Sequence, residues 1–289
     1  MKFKKTISLL TTCIIILSLL ASTYGIFSNQ GNGQYKIQTF RGETVTVYGK
    51  GIYQDDSVSL VVQGKAQDVI TIFMGIPLLI ISLYLSRKGS LKGRLLLTGT
   101  LGYFLYTYVS YTFLWMFNQL FLIYVILMST SFFAFTLSMM SFDMDKLSLA
   151  FNKNMPVRFI GAFQIFLALA LGMLWLGKIV PVLINGTTPS GLEHYTTLVI
   201  QGMDLGFIVP TATISALLVL KRKPFGYLLS SVIIMKGLTM GTAITAMIIG
   251  QAYAGVHLGL SEMIIFPLFN LIIIYCLFLI LKNINEFAG

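Results

Sequence analysis

The stretch VIQGMDLGFIVPTATISALLVLKRKPFGYLLSSVIIMKGLTMGTAITAMIIG, residues 199–250, decides how the rest of the chain is read. It predicts two apolar helices, 199–220 and 225–250, joined by the tight basic turn Lys221, Arg222, Lys223, Pro224. The first carries Asp204 and Pro210, the second Lys236, all inside runs that would lie in hydrocarbon. A charge at bilayer depth costs from about 2.5 to more than about 10 kcal/mol, so it persists only where it is paired or hydrated. Asp204 and Lys236 are the natural pair. Lys236 falls near mid-bilayer and Asp204 nearer the outer edge, so contact needs an upward-reaching lysine, a water or a ligand between them.

Composition agrees with lipid as the solvent. The 289 residues are 56% hydrophobic and only 10% charged, against roughly 25% charged in a soluble domain. The formal net charge of +10 does not imply nucleic acid, because the basic residues sit in short connectors between apolar runs. That is the positive-inside pattern. Two cysteines, Cys13 and Cys276, both within apolar runs, indicate no disulfide framework, and no Cys/His cluster has metal-ligand spacing. Phosphate-cradling and dinucleotide motifs are missing as well. Neither a metal nor a cofactor is expected, and the catalytic residues are unknown.

Apolar runs at 69–86, 95–116, 119–140, 159–180, 199–220, 225–250 and 263–281 follow a first one within 1–26, eight in all. Each approaches the roughly 20 residues that cross a bilayer. The expected fold is therefore an all-α membrane protein of eight transmembrane helices. Residues 1–26, with Lys2, Lys4 and Lys5 before the run Ile7–Leu20, read as an uncleaved signal anchor, since Ala21 to Gly25 matches a cleavage site poorly. Lys and Arg counts put both termini in the cytoplasm. The polar segment 27–67 predicts a hairpin, Tyr35–Phe40 and Thr44–Tyr48 around Arg41-Gly42-Glu43, with Ser57–Val62 a third strand or a helix start. It reads either as a cap on the outer mouth of the bundle or as a solvated loop. The first helical half continues through 68–158 and the second occupies 159–289.

An ungapped shift of 133 residues places Pro77 on Pro210, Ile81 on Ile214, Ser82 on Ser215, Leu85 on Leu218, Lys88 on Lys221, Gly93 on Gly226 and Leu95-Leu96 on Leu228-Leu229. The Pro, Ser, Lys and Gly matches carry more weight than the aliphatic ones. They suggest two parallel four-helix repeats, in which Tyr103 is the counterpart of Lys236.

The candidate ligand- or ion-binding residues are Lys236, Asp204, Asn270, Tyr103, Thr107, Gln201, Asp68 and Glu262. Gln201, Asp204, Thr211 and Ser215 fall on one face at 3.6 residues per turn; Tyr103 and Thr107 share a face of their helix. Asp68 and Glu262 stand at predicted helix starts, where capping competes with chemistry, and with His194 and His257 they mark the outer edge. The run Tyr103–Phe117 suggests packing or an interface belt. A retinal-like Schiff base on Lys236 is disfavoured because only Trp115 and Trp175 are present to line a pocket. Gly237-x-x-x-Gly241 suggests close helix contact.

The phrases Ala66-Gln67-Asp68-Val69-Ile70-Thr71, Tyr103-Phe104-Leu105-Tyr106-Thr107-Tyr108 and Met235-Lys236-Gly237-Leu238-Thr239-Met240 resemble a widespread group of uncharacterised prokaryotic multi-span membrane proteins. The resemblance implies a prokaryotic cytoplasmic membrane and supplies no catalytic residue. The expected partners are the lipid bilayer and a small solute or lipid ligand, not nucleic acid. The function expected is binding or transport of a small polar or amphiphilic solute, or a lipid head group, in an outward-facing cavity. The alternatives are a membrane-embedded lipid- or isoprenoid-modifying enzyme and a non-catalytic sensor.

Overall fold

The computed structural model describes residues 2–253 and 260–286, without the side chains of 260–262. The chain is a bundle of helices with one two-stranded sheet. Helix α1 (Lys4–Phe27) leads into strands β1 (Tyr35–Gln38) and β2 (Thr44–Val47), paired antiparallel with Tyr35 opposite Val47 and Gln38 opposite Thr44. After a 3-10 turn at Gly51–Tyr53 come α2 (Val58–Ile70) and α3 (Ile76–Arg87), continuous through a π turn at Thr71–Gly75, then α4 (Leu91–Phe113) and α5 (Phe121–Met140). The short α6 (Met144–Ala150) connects to α7 (Val157–Asn185). Helices α8 (Val199–Met203) and α9 (Val209–Leu220), again joined by a π turn at Asp204–Ile208, precede α10 (Pro224–Tyr253) and α11 (Leu260–Lys282).

Among the described residues, seven helical segments are long and apolar enough to cross a membrane: Lys4–Phe27, Val58–Arg87, Phe121–Met140, Val157–Asn185, Val199–Leu220, Pro224–Tyr253 and Met263–Lys282. This fits a multi-pass membrane protein. Large apolar side chains such as Leu9, Phe73, Leu169 and Leu183 face outward, where lipid rather than water would solvate them. Helix α4 is as long but more polar. It lies deepest, packed on α3, α5 and α10, with Tyr103, Phe104 and Tyr108 fully buried.

The second apolar segment begins at Val58, not near residue 69. Ser57 caps it by accepting from the Leu60 amide (3.2 Å), so the open question at 57–62 resolves as a helix start. Asp68 is therefore ten residues inside α2 and does not cap a helix N-terminus. At the opposite end of the bundle, Lys4 Nζ donates to the Arg87 carbonyl (2.9 Å). The same end holds Glu286, which accepts from Ser90 Oγ (2.7 Å) and from the amides of Leu91 (2.7 Å) and Lys92 (3.1 Å). A carboxylate there offsets the positive end of α4. The beginning and the end of the described chain thus share one end of the bundle.

The segments 71–93 and 204–226 have the same local geometry 133 residues apart. In each π turn an amide reaches back five residues, Ile76 to the Thr71 carbonyl and Val209 to that of Asp204. Pro77 and Pro210 follow directly. A proline has no N–H to give and its ring displaces the carbonyl four residues back, so the helix relaxes into one wider turn. Both helices then close alike. Lys88 (φ −79°, ψ 0°) and Lys221 (φ −83°, ψ 6°) end them, and Gly89 (φ 92°) and Arg222 (φ 52°) take the left-handed position. Ser90 N donates to Leu85 O (3.2 Å) as Lys223 N does to Leu218 O (2.9 Å). A Cβ on Gly93 would overlap Leu85 and Ser86, and one on Gly226 would overlap Leu218 and Val219.

Candidate functional site

A cavity of about 790 Å³ lies between α2 and α4 on one side and α7 to α11 on the other. Along α10 it runs from Ile233 to Gln251, about 27 Å at about 1.5 Å per residue. Its wall is mostly aliphatic and aromatic. Among the described residues, Asp204 and Lys236 are the charged groups in that wall.

Four helical segments position this pair. Asp204 is the first residue of the π turn, and Lys236 sits in mid-α10; both are 8% exposed. They form no direct ion pair. Tyr106 of α4 stands at both: its hydroxyl donates to Asp204 Oδ1 (2.8 Å), and Lys236 Nζ lies 3.8 Å from its ring centroid. Trp175 of α7 donates from Nε1 to Asp204 Oδ2 (2.9 Å). Each carboxylate oxygen therefore has a donor, while the ammonium has an aromatic face. A cation over such a ring is attracted by its quadrupole.

The π turn changes which residues of the sixth apolar run face the cavity. At 3.6 residues per turn Asp204 would share its face with Gln201 and Thr211. Beyond Asp204 the wider turn advances the register by one residue, so Ile208 and Ala212 line the wall with Asp204; Ile200, one α-turn before Asp204, also lines the wall. Gln201 and Thr211 stand aside from it, each half-buried.

The other predicted residues separate. Thr107 and Asn270 reach the cavity; Asn270 Nδ2 donates to Thr242 Oγ1 (3.2 Å) and occupies the space that a Cβ on Gly241 would need. Tyr103 lies behind the wall. Its hydroxyl accepts from Gln67 Nε2 (2.7 Å) and is 2.9 Å from Thr71 Oγ1. In the 133-residue correspondence, Thr71 and Tyr103 take the places of Asp204 and Lys236. Asp68 belongs to a separate buried cluster, accepting from Tyr53 (2.7 Å) and Tyr111 (3.1 Å). The Glu262 side chain and His257 lie outside the described residues.

Sequence reasoning missed Tyr106 and Trp175, and it read too little into the tryptophans. Both Trp115 and Trp175 line the cavity. Trp115 packs against Tyr53 with the rings tilted by 35° (centroids 4.6 Å) and fills the space left by Gly64. The aromatic run of α4 was a visible signal, but nothing local distinguishes Tyr106 from its buried neighbours.

The polar cap meets the α7–α8 loop at the Trp115 end. Arg41 Nη2 donates to the carbonyls of Glu193 and Tyr195. Tyr195 donates to Asp56 Oδ1 (3.0 Å) and accepts from the Ser57 amide (3.1 Å), and His194 Nε2 contacts the Asp55 carbonyl (3.0 Å). Burial pushes the Asp56 carboxyl up to about 7, although hydrogen bonds from the Met116 amide and the Tyr195 hydroxyl pull the other way. Burial, and next the Asp56 charge, raise the Tyr195 hydroxyl well above its ordinary value.

No protein-family model matches the chain, and neither a curated protein nor a solved structure shows significant similarity to it.

Proposed function

We propose that this chain binds or transports a small polar or amphiphilic solute, or a lipid head group, in the cavity between two helical halves. The carrying observation is that cavity, with Asp204, Lys236 and Tyr106 joined in its wall. Ionised groups kept at membrane depth default to a role in recognition or in ion and proton movement. The repeated π turn, proline and closing turn support an architecture of eight spans in two parallel four-helix halves, with α4 crossing alongside the seven more apolar segments. The α4–α10 and α2–α10 packing then forms the seam between the halves.

The basic connectors at Arg87–Arg94 and Lys221–Lys223 share the end that holds Lys4 and Glu286, the second through Arg222 on the Met155 carbonyl and Asn152 on Asn283. By the positive-inside tendency that end is cytoplasmic, in a prokaryotic plasma membrane. The cap then covers the outer side, towards which the cavity extends at Trp115 and Gln251. An enzymatic reading draws less support. Asp204 is committed to two donors, and Asp68 lies away from the cavity.

Mass spectrometry of molecules extracted from the purified protein tests the proposal. Wild type is expected to carry an enriched small molecule or lipid that Lys236→Ala and Asp204→Ala, still inserted and folded, have lost. Identical extracts from all three proteins would end it.

A further inference from the structure

Among the described residues, the ammonium of Lys236 is the charge in the cavity wall that no hydrogen-bond acceptor meets. Its residue is buried from the exterior, yet it lines the cavity, and Nζ is not among the atoms sealed from solvent. Its contact is the Tyr106 ring, and among the described residues no oxygen accepts from it. Asp204 differs, since Tyr106 and Trp175 each donate to one of its oxygens. An ammonium has three donors and no acceptor capacity. Its strongest complement is an anionic oxygen, with a charge-assisted bond about twice as strong as a neutral one.

The surroundings limit what can carry that oxygen. Leu171, Ile208, Ile244 and Phe269 line the cavity, and such walls favour a ligand with an apolar body. A cavity of about 790 Å³ falls within the roughly 300–1,000 Å³ of pockets that enclose a drug-sized ligand, a scale that suits a head group and one chain.

We infer that the occupant is a single-chain amphiphile with an acidic head group, a carboxylate or a phosphate ester. Its oxygens take the Lys236 donors while its chain lies along α10. This rests on the binding reading above and narrows it to one ligand class. Asp204, fixed by Trp175, positions Tyr106 beside the ammonium and does not itself bind the acid.

The chain has only two tryptophans, and both line the cavity, so their emission reports its occupancy. The protein in neutral-lipid nanodiscs is titrated with dodecanoate, dodecyl phosphate, dodecanol, dodecyltrimethylammonium, acetate and inorganic phosphate. The acids with chains are expected to give a saturable change about tenfold or more tighter than dodecanol, the factor for one charge-assisted hydrogen bond. Whichever acid binds more tightly names the head group. Lys236→Arg is expected to keep the preference, and Lys236→Met to bind acid and alcohol alike. Dodecanol or the ammonium binding as tightly as the acids overturns the acidic class and leaves the cavity reading standing. Acetate or inorganic phosphate binding as tightly as the chained acids overturns the chain. No saturable change with any probe overturns both readings. If Lys236→Met does not fold, the wild-type ranking decides.

Discussion

Tyr106 does two things with one side chain, and the two can be separated. Its hydroxyl serves Asp204 and its ring serves Lys236. Tyr106→Phe keeps the ring and removes a hydrogen bond to a charged group, a loss of roughly 1.5–3 kcal/mol, which should lower the thermal unfolding midpoint in detergent. Tyr106→Leu removes the ring as well and should cost more; a leucine variant as stable as the phenylalanine one would show that the ring contact contributes nothing. Asp56 gives a pH prediction at the same scale. Its folded value of about 7 lies above the roughly 3.9 of an unfolded aspartate. The proton thus favours the folded cap. This stabilisation is complete below about pH 4 and is lost as pH rises through about 7. Protease cleavage within 35–57 should accelerate from pH 5 to pH 8 in wild type more than in Asp56→Asn, and equal acceleration in both would exclude Asp56 as the cause.

At the scale of elements, the geometry that recurs at 71–93 and 204–226 rests on close backbone approach. Gly93 and Gly226 have no room for a methyl group, whereas Gly177 has no neighbour within 4 Å. Gly93→Ala and Gly226→Ala should each cost about 1–3 kcal/mol through overpacking, while Gly177→Ala should be neutral or slightly stabilising through helix propensity. Thermal unfolding of the three variants checks this, and a harmless Gly226→Ala would mean that the turn tolerates spreading. The shared positions of Pro77 and Pro210 were legible in the chain. The π turns ahead of them were not, because a proline kink has several backbone solutions and packing selects one. That choice moved Thr211 off the cavity wall and brought Ala212 onto it.

For the whole molecule, the proposed topology has an accessibility test. With Cys13 and Cys276 replaced, Ser190→Cys and Gln30→Cys should react with a membrane-impermeant maleimide on intact cells. Lys88→Cys and Lys223→Cys should react only after permeabilisation. Labelling of all four from outside would contradict the orientation and would leave the helical bundle unchanged.

The sequence by itself determined that long helices form and where most of them run, because a backbone in hydrocarbon must satisfy its own hydrogen bonds and apolar length sets the span. It also marked Lys236 and Asp204 as out of place there, since charge and burial conflict whatever the fold. Only the tertiary structure decided what stands between them. The Tyr106 ring comes from a helix about a hundred residues earlier than Asp204, and no periodicity along one helix can show which side chain a neighbouring helix presents. The same holds for Asp68, set among Tyr53 and Tyr111, and for Arg41 on the α7–α8 loop. Local patterns choose helix and turn, but contacts between distant segments depend on how the helices pack, and that packing made a cavity in whose wall the Lys236 ammonium meets no acceptor among the described residues.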